Sequence, residues 1–273
     1  MQDVFKMTDL GLMTYFLGME VNQNEHGIFI SHQAFALKFL RKFSMSKCKP
    51  TSTPVAIGEK LSSTNEHDQV DERGYRSLVG CLLYLIATRP DIMYVVSLLS
   101  RFMHCYNTAR FKAAKRVLSD WAGSVDDMKS TSGYFFILGS GFFSWSSKKQ
   151  QTVTQSTTEV EYIAATTAVN QANWLRKLLD DLNTGQVEAT EIKVDNQSAV
   201  AVAKNPVFHS KMEHFKIRYH FVREAELTKE ISLVYCCSRD QLADILTKLL
   251  VATRFECLRK EIGVCYFVAK EEC

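Results

Sequence analysis

The sequence contains no Cys-x-x-Cys pair, no His-Glu-x-x-His and no apolar run long enough to cross a bilayer. Each absence removes a class of protein. Without paired-ligand spacing, the eight cysteines (Cys48, Cys81, Cys105, Cys236, Cys237, Cys257, Cys265 and Cys273) read as reduced thiols, which suits a cytosolic or nuclear protein. Neighbours such as Cys236 and Cys237 rarely bridge. Seven histidines without the metalloprotease spacing argue against a zinc hydrolase. The apolar runs "LVGCLLYLIA" and "IMYVVSLL" are separated by Arg89, Pro90 and Asp91. A membrane span needs ~20 continuous apolar residues, so these are core helices and no membrane partner is expected. The first residues, "MQDVFKMTDLG", lack a basic region followed by an apolar stretch, and no secretory leader is expected there. Internal repeats and low-complexity tracts are missing as well. So is any strong excess of charge: a net charge of +3 is compatible with a nucleic-acid partner without implying one.

What is present is an ordinary globular composition. The 273 residues are 46% hydrophobic and 23% charged, enough for one large or two ordinary domains with a sizeable core. Residues 13–31 alternate in "YFLGMEV" and "GIFIS" around the turn-like "NQNEHG", a hairpin pattern. "HQAFALKFLRKF" has helical spacing at Phe35, Leu37, Phe39 and Leu40 and a basic C-terminal end. "CKPTSTPVAIG" reads as a loop, because its prolines lack an N–H donor. Residues 74–88 predict a buried helix, which Pro90 breaks while opening another, "DIMYVVSLLSRFM". "ARFKAAKRVL" is a further helix with a basic face, and it runs directly into "SDWAGS".

The second half predicts an α/β sheet domain over roughly 119–250, preceded by an α+β unit over 1–118 and followed by a helix and tail over 251–273. Its elements begin with a hairpin around Gly139-Ser140-Gly141 and a helix from Ser156 to about Leu182. The strand "EIKV", a short helix ended by Asn205-Pro206 and a helix around 212–226 follow. The strand "ISLVYC" and a C-terminal helix from Asp240 complete the set.

Four carboxylates stand out. Ser156-Thr157-Thr158-Glu159 fits a capping box, which gives Glu159 a structural role. Glu161 lies on the stripe of Ala165, Ala168, Ala172, Leu175 and Leu179, the face that packs inward. An ionised carboxylate there needs a cation or a metal, unless the helix end leaves it near solvent and the positive dipole. Asp195 follows the strand "IKV" and precedes a helix, a place for either a ligand-binding carboxylate or an N-cap. Asp244 falls away from the stripe of Leu242, Ile245, Leu246 and Leu249, and periodicity makes it a solvated helix residue. Ser238 and Gln241 suggest a second capping box. Asp126 and Asp127, in "SVDDMKS", lack flanking apolar strands and read as surface-turn residues.

Taken in order, "DWAGSVDDMKSTSGY", "FSWSSKKQ", "QSTTEVEYIAA", "VDNQSAV", "NPVFHSKMEHFKIRYHFVRE" and "DQLADILTK" resemble the ribonuclease H domain of copia-type retrotransposon Pol polyproteins. Upstream, "MTDLGLMTYFLGMEV", "GIFISHQAFALKFL", "KPTSTP" and "YRSLVGCLLYLIATRPDIMYVVSLLSRFM" resemble the thumb and connection region that follows the polymerase palm. The resemblance implies a ribonuclease H-like mixed sheet with helices. It implies cleavage of the RNA strand of an RNA–DNA hybrid by two Mg²⁺ ions, one activating water and the other stabilising the leaving oxygen. It assigns Glu161, Asp195 and Asp244 as metal ligands. Lys148, Lys149, Lys211, Lys216 and Arg218, with His209 and His214, become candidates for phosphate contacts, against the plainer reading of a solvated face. Polymerase activity is not expected, because the catalytic palm motif would precede Met1.

One part of the resemblance fails. The family carries its first aspartate at the end of the first strand, in a "YxDxDWAG" stretch. Here the text is "KRVLSDWAG": Leu118 stands where that aspartate belongs, and the strand before it is gone. Asp120 cannot stand in, because residues two apart in a strand are ~6–7 Å apart whereas Mg²⁺–oxygen distances of ~2.0–2.1 Å leave little slack. The sequence therefore leads to the expectation of an inactive ribonuclease H. Its domain would either be distorted, with residues near 112–120 drawn into the gap, or have poor independent stability. Two alternatives remain open: an active Mg²⁺-dependent hybrid ribonuclease, and a module that holds nucleic acid without cutting it.

Overall fold

The computed structural model describes residues 11–25, 27–46, 48, 71–104, 107–119, 130–139, 141–150, 156–204 and 216–265. The expected loop at 48–58 lies almost entirely outside these, as do Asp120, Asp126, Asp127, His209, Lys211 and His214.

The N-terminal unit starts with an antiparallel meander of β1 (Tyr15–Phe16), β2 (Met19–Asn24) and β3 (Gly27–Ser31), with Glu20 opposite Ser31. Gly18, at φ +84°, makes the first turn, and any Cβ there would meet the Tyr84 hydroxyl. Helix α1 (Gln33–Lys42) begins without help from its own N-cap residue, His32. Its cap comes from β2: the Glu20 carboxylate accepts from the amides of Gln33 and Ala34 at 2.8 and 2.9 Å. Of the expected apolar set, Phe39 is buried and Leu37 faces outward.

Helices α2 (Glu72–Leu85), α3 (Met93–Ser100) and α4 (Thr108–Ser119) build the first core, with a 3₁₀ turn at Pro90–Ile92 between α2 and α3. Tyr75, Leu78, Val79, Leu82, Val96, Leu99, Ala114 and Val117 are among its buried residues. The Tyr75 hydroxyl donates to the Leu99 carbonyl at 3.0 Å inside it. Leu118 packs against the same core. The expectation that residues 112–120 move into the second domain is thus corrected for the described part. The apolar positions Ala113, Ala114 and Val117 already have a buried face in α4.

The second half forms from β4 (Thr131–Leu138), β5 (Gly141–Lys149), α5 (Thr157–Asp181), β6 (Thr190–Val194), α6 (Gln197–Lys204), α7 (Lys216–Leu227) and β7 (Ile231–Tyr235). The β4–β5 hairpin turns at Gly139, φ +62°, and carries a bulge between Phe136 and Ile137. The strands β6 and β7 pair in parallel, Thr190 opposite Ile231 and Val194 opposite Tyr235, and the pair needs the crossover through α6 and α7. The fold is therefore mixed α/β, but the single sheet expected from the sequence is two sheets of two strands. Among the described residues no strand lies between β4 and β6. Both pairs rest on α5. Tyr162, Ala165, Ala168, Val169, Ala172 and Leu175 share one core with Phe136 of β4, Ile192 and Val194 of β6, and Leu233 of β7.

The expected helix from Asp240 is instead a 3₁₀ segment, Leu242–Leu246, followed by α8 (Ala252–Glu261). Ile245, Leu246, Phe255, Leu258 and Ile262 form a third cluster, against which Phe135, Phe142 and Trp145 of the hairpin and Met93 of α3 pack. The Trp145 indole donates to the Ile86 carbonyl at 3.2 Å, tying the hairpin to the end of α2. Tyr75→Phe removes one of two donors to the buried Leu99 carbonyl, the other being the Phe102 amide at 3.1 Å. In urea unfolding it is expected to cost about 1–2 kcal/mol with an unchanged m-value; a loss below about 0.3 kcal/mol would show that the bond contributes nothing.

Candidate active site

The first turn of α5 is fixed from two directions. Ser156 accepts from the Glu159 amide at 3.2 Å, as the capping box anticipates. Gln150, buried at the end of β5, donates from Nε2 both to the Val160 carbonyl and to Ser132 Oγ, each at 2.9 Å. That amide clamps the helix to β4 and sets the direction of the next side chain, Glu161, which is half-buried. Sequence reasoning missed Gln150. Its only signal was a polar residue closing a strand.

Asp195 leaves the carboxyl end of β6. The capping alternative is resolved by its neighbour: Asn196 Oδ1 accepts from the Ala199 amide at 3.0 Å and caps α6. Asp195 is thereby released to face Glu161. Asp244 sits in the 3₁₀ segment, and its side chain is only 13% exposed, so the expectation of a solvated residue is corrected. The tighter 3₁₀ winding, about three residues per turn, puts it on a different azimuth from the one an α-helix would give. The second capping box is also corrected. Gln241 alone caps the segment, its oxygen accepting from the Ala243 amide at 3.3 Å. The nitrogen of the same amide donates to the Lys193 carbonyl at 3.3 Å, holding the segment beside the end of β6.

Three elements thus bring Glu161, Asp195 and Asp244 within electrostatic reach of one another. Burial, the charge of Asp195 and, more weakly, that of Asp244 raise the Glu161 pKa to about 7, a rise tempered by the Lys248 ammonium. Glu161 also shares a hydrogen bond with Asp195. Lys248 donates to Asp244 Oδ1 at 2.7 Å. Burial works against its charge, but that bond and the fields of Asp244, Asp195 and Glu161 outweigh the burial and raise its pKa. A lysine ammonium is therefore the cation these carboxylates meet.

Oxygen donors are the right chemistry for Mg²⁺, which demands near-ideal geometry. Yet among the described residues no group of three or more Asp, Glu, His or Cys side chains is arranged to hold a metal ion. The three carboxylates feel one another without closing a common coordination sphere, so the residues present do not fit the two-ion arrangement.

Beside the cluster lies a cavity of about 600 Å³, walled by residues 133–137 of β4 on one side and 190–194 of β6 on the other, with Ala164, Ala165 and Ala168 as its floor. It occupies the gap between the two sheets. Of the basic candidates, Lys148 is exposed and Lys149 half-buried at the end of β5. Lys149 has a lowered pKa from burial and from Arg101. Lys216 and Arg218 lie in the first turn of α7.

Comparison with known proteins bears on what this arrangement descends from. The chain is 37% identical to the retrovirus-related Pol polyprotein from transposon RE1 of Arabidopsis thaliana, matching over 95% of its own length and 20% of that protein's. It is 32% identical to the corresponding polyprotein from transposon TNT 1-94 of Nicotiana tabacum, over 95% of this chain and 22% of that one. The chain belongs to the copia-type retrotransposon Pol family. The family profile described as reverse transcriptase (RNA-dependent DNA polymerase) matches residues 1–57, the segment of the β1–β3 meander and α1. An uncharacterized mitochondrial protein of Arabidopsis thaliana is 36% identical over 64% of this chain and 83% of its own length. The chain spans about a fifth of the length of the Pol polyproteins it matches. No solved structure matches it. Among the described residues no helix is long and apolar enough to cross a membrane.

The raised Glu161 pKa has a definite consequence for this Pol fragment. Below the unfolded value of about 4.5 the group is protonated in both states and its stability contribution is intact. As pH rises through about 7, the unfolded chain ionises first and that contribution is lost. Glu161→Gln is therefore expected to stabilise the protein at pH 8 by on the order of 1–2 kcal/mol. The advantage should vanish below pH 4.5. Thermal melts across that range check it; an equal effect at all pH values would contradict the electrostatic cause.

Proposed function

We propose that residues 119–250 are a ribonuclease H-type domain of a retrotransposon Pol protein that no longer cuts, and that residues 1–118 are the polymerase's thumb and connection region. The observation that carries this reading is the convergence of Glu161, Asp195 and Asp244 from the start of α5, the end of β6 and a 3₁₀ segment, three separated parts of the chain. A hybrid ribonuclease needs such a set to hold its ions.

Four features support the loss of cutting. The cavity stands between β4 and β6, where the resemblance puts the first strand and its aspartate. Leu118 is engaged in the core of the other unit. Alignments to the RE1, RE2 and TNT 1-94 polyproteins run over 286, 276 and 294 positions, more than the 273 residues of this chain, so each relative carries residues without a counterpart here. Lys248 neutralises Asp244 directly.

The nucleic-acid role that remains is contact with an RNA–DNA hybrid, through Lys148 and Lys149 and, on α7, Lys216 and Arg218. The full chain with Mg²⁺ and a labelled hybrid is expected to show no cleavage above that of Asp195→Asn. Cleavage abolished by that substitution would make the domain an active enzyme. In the same preparation, hybrid affinity should fall several-fold between 50 and 200 mM salt, roughly as counterion release at a few phosphates requires; a flat salt response would remove the nucleic-acid partner.

A further inference from the structure

Two sheet edges face the cavity, and their backbone groups can be assigned by alternation. The Val194 carbonyl accepts from the Cys236 amide and the Thr190 amide donates to the Glu230 carbonyl, so residues 190, 192 and 194 bond toward β7. The backbone groups of Glu191 and Lys193 therefore point the other way, into the gap. Among the described residues one of them is engaged: the Lys193 carbonyl accepts from Gln241. On the other wall, the Gln150 amide donates to the Ser130 carbonyl, which makes residues 130, 132 and 134 the ones that bond across to β5. Gly133 and Phe135 then aim their amides and carbonyls into the gap. The edges are thus two rows of backbone groups with an apolar floor of α5 alanines behind them.

We propose that this gap is a strand-accepting slot, which takes an extended peptide from another polypeptide by bonding it to Gly133 and Phe135 on one side and Glu191 and Lys193 on the other. An extended segment is the occupant that backbone edges select, because only a strand satisfies donors and acceptors on both sides at once. The five residues of β6 correspond to ~17 Å of strand, which sets the length of the engaged peptide. The alanine floor selects apolar side chains at alternate positions. Charge selects the rest: Glu188, Glu191 and Asp240 line the slot against a single lysine, Lys193, so the occupant is a basic, apolar-alternating peptide. This inference stands on the sheet edges and is independent of whether the carboxylate cluster cleaves RNA.

The test uses the full chain and a fluorescein-labelled heptapeptide, Lys-Val-Thr-Val-Thr-Val-Lys, whose near-symmetry makes the direction of insertion immaterial. Fluorescence anisotropy is expected to show saturable binding. N-methylation of alternate amides along one edge should weaken it at least tenfold, and exchange of both lysines for glutamate should do the same. Absence of saturable binding overturns the proposal. So does equal affinity of the N-methylated peptide, which would make the site an apolar pocket, or of the glutamate peptide, which would remove the charge selection. A stable dimer that the peptide does not dissociate would instead assign both edges to a second copy of the chain.

Discussion

The alanine-rich face of α5 holds together two pairs of strands that do not bond to each other. In an ordinary sheet the layer is joined edge to edge by backbone hydrogen bonds, and the helix merely covers it. Here the order is reversed. Phe136 on one side and Ile192 and Val194 on the other reach the same buried stripe of Ala165, Ala168, Val169 and Ala172, and that shared burial is what keeps β4 and β6 in one layer. Small side chains matter for this role, since they let both strand pairs approach one helix closely. The helix is in turn anchored at its start by Ser156 and Gln150.

The cluster of carboxylates depends on that same helix. Glu161 is the first inward position of α5, and its neighbours Asp195 and Asp244 arrive from the second strand pair and from the segment that Gln241 pins to it. The three groups come near enough to perturb Glu161 yet, among the described residues, do not form a metal-binding set. The arrangement resolves its excess negative charge internally, by protonating Glu161 more readily and by seating Lys248 against Asp244. The cluster thereby balances part of its own negative charge through Lys248 and the raised Glu161 pKa.

Much of this was legible in the sequence wherever local pattern and tertiary demand agree. The hairpin at Gly139, the capping box at Ser156 and the alanine stripe of α5 all follow from turn chemistry and helical period. The departures arise where a distant group takes over a local role. Asp195 and Asn196 are both plausible caps, and only the geometry of α6 shows that the asparagine caps it and the aspartate is left for the site. Asp244 reads as solvated at 100° per residue, but the chain there winds as 3₁₀ and turns it inward. Glu20 caps a helix that begins thirteen residues later, and Gln150 clamps a helix from a neighbouring strand. No periodicity encodes such contacts. The family pattern expects an aspartate at Leu118, but no local pattern encodes its surroundings in the core of the helical unit.

Amide hydrogen exchange resolved by residue in β4 and β6 tests the split sheet most directly. If the two strands present open edges to the gap, the amides of Gly133, Phe135, Glu191 and Lys193 should exchange far faster than those of Ser132, Tyr134 and Thr190, which bond to β5 or to the Glu230 carbonyl. Equal protection of both sets would mean that the edges are already paired, and the account of two half-sheets held together by one helix would be wrong.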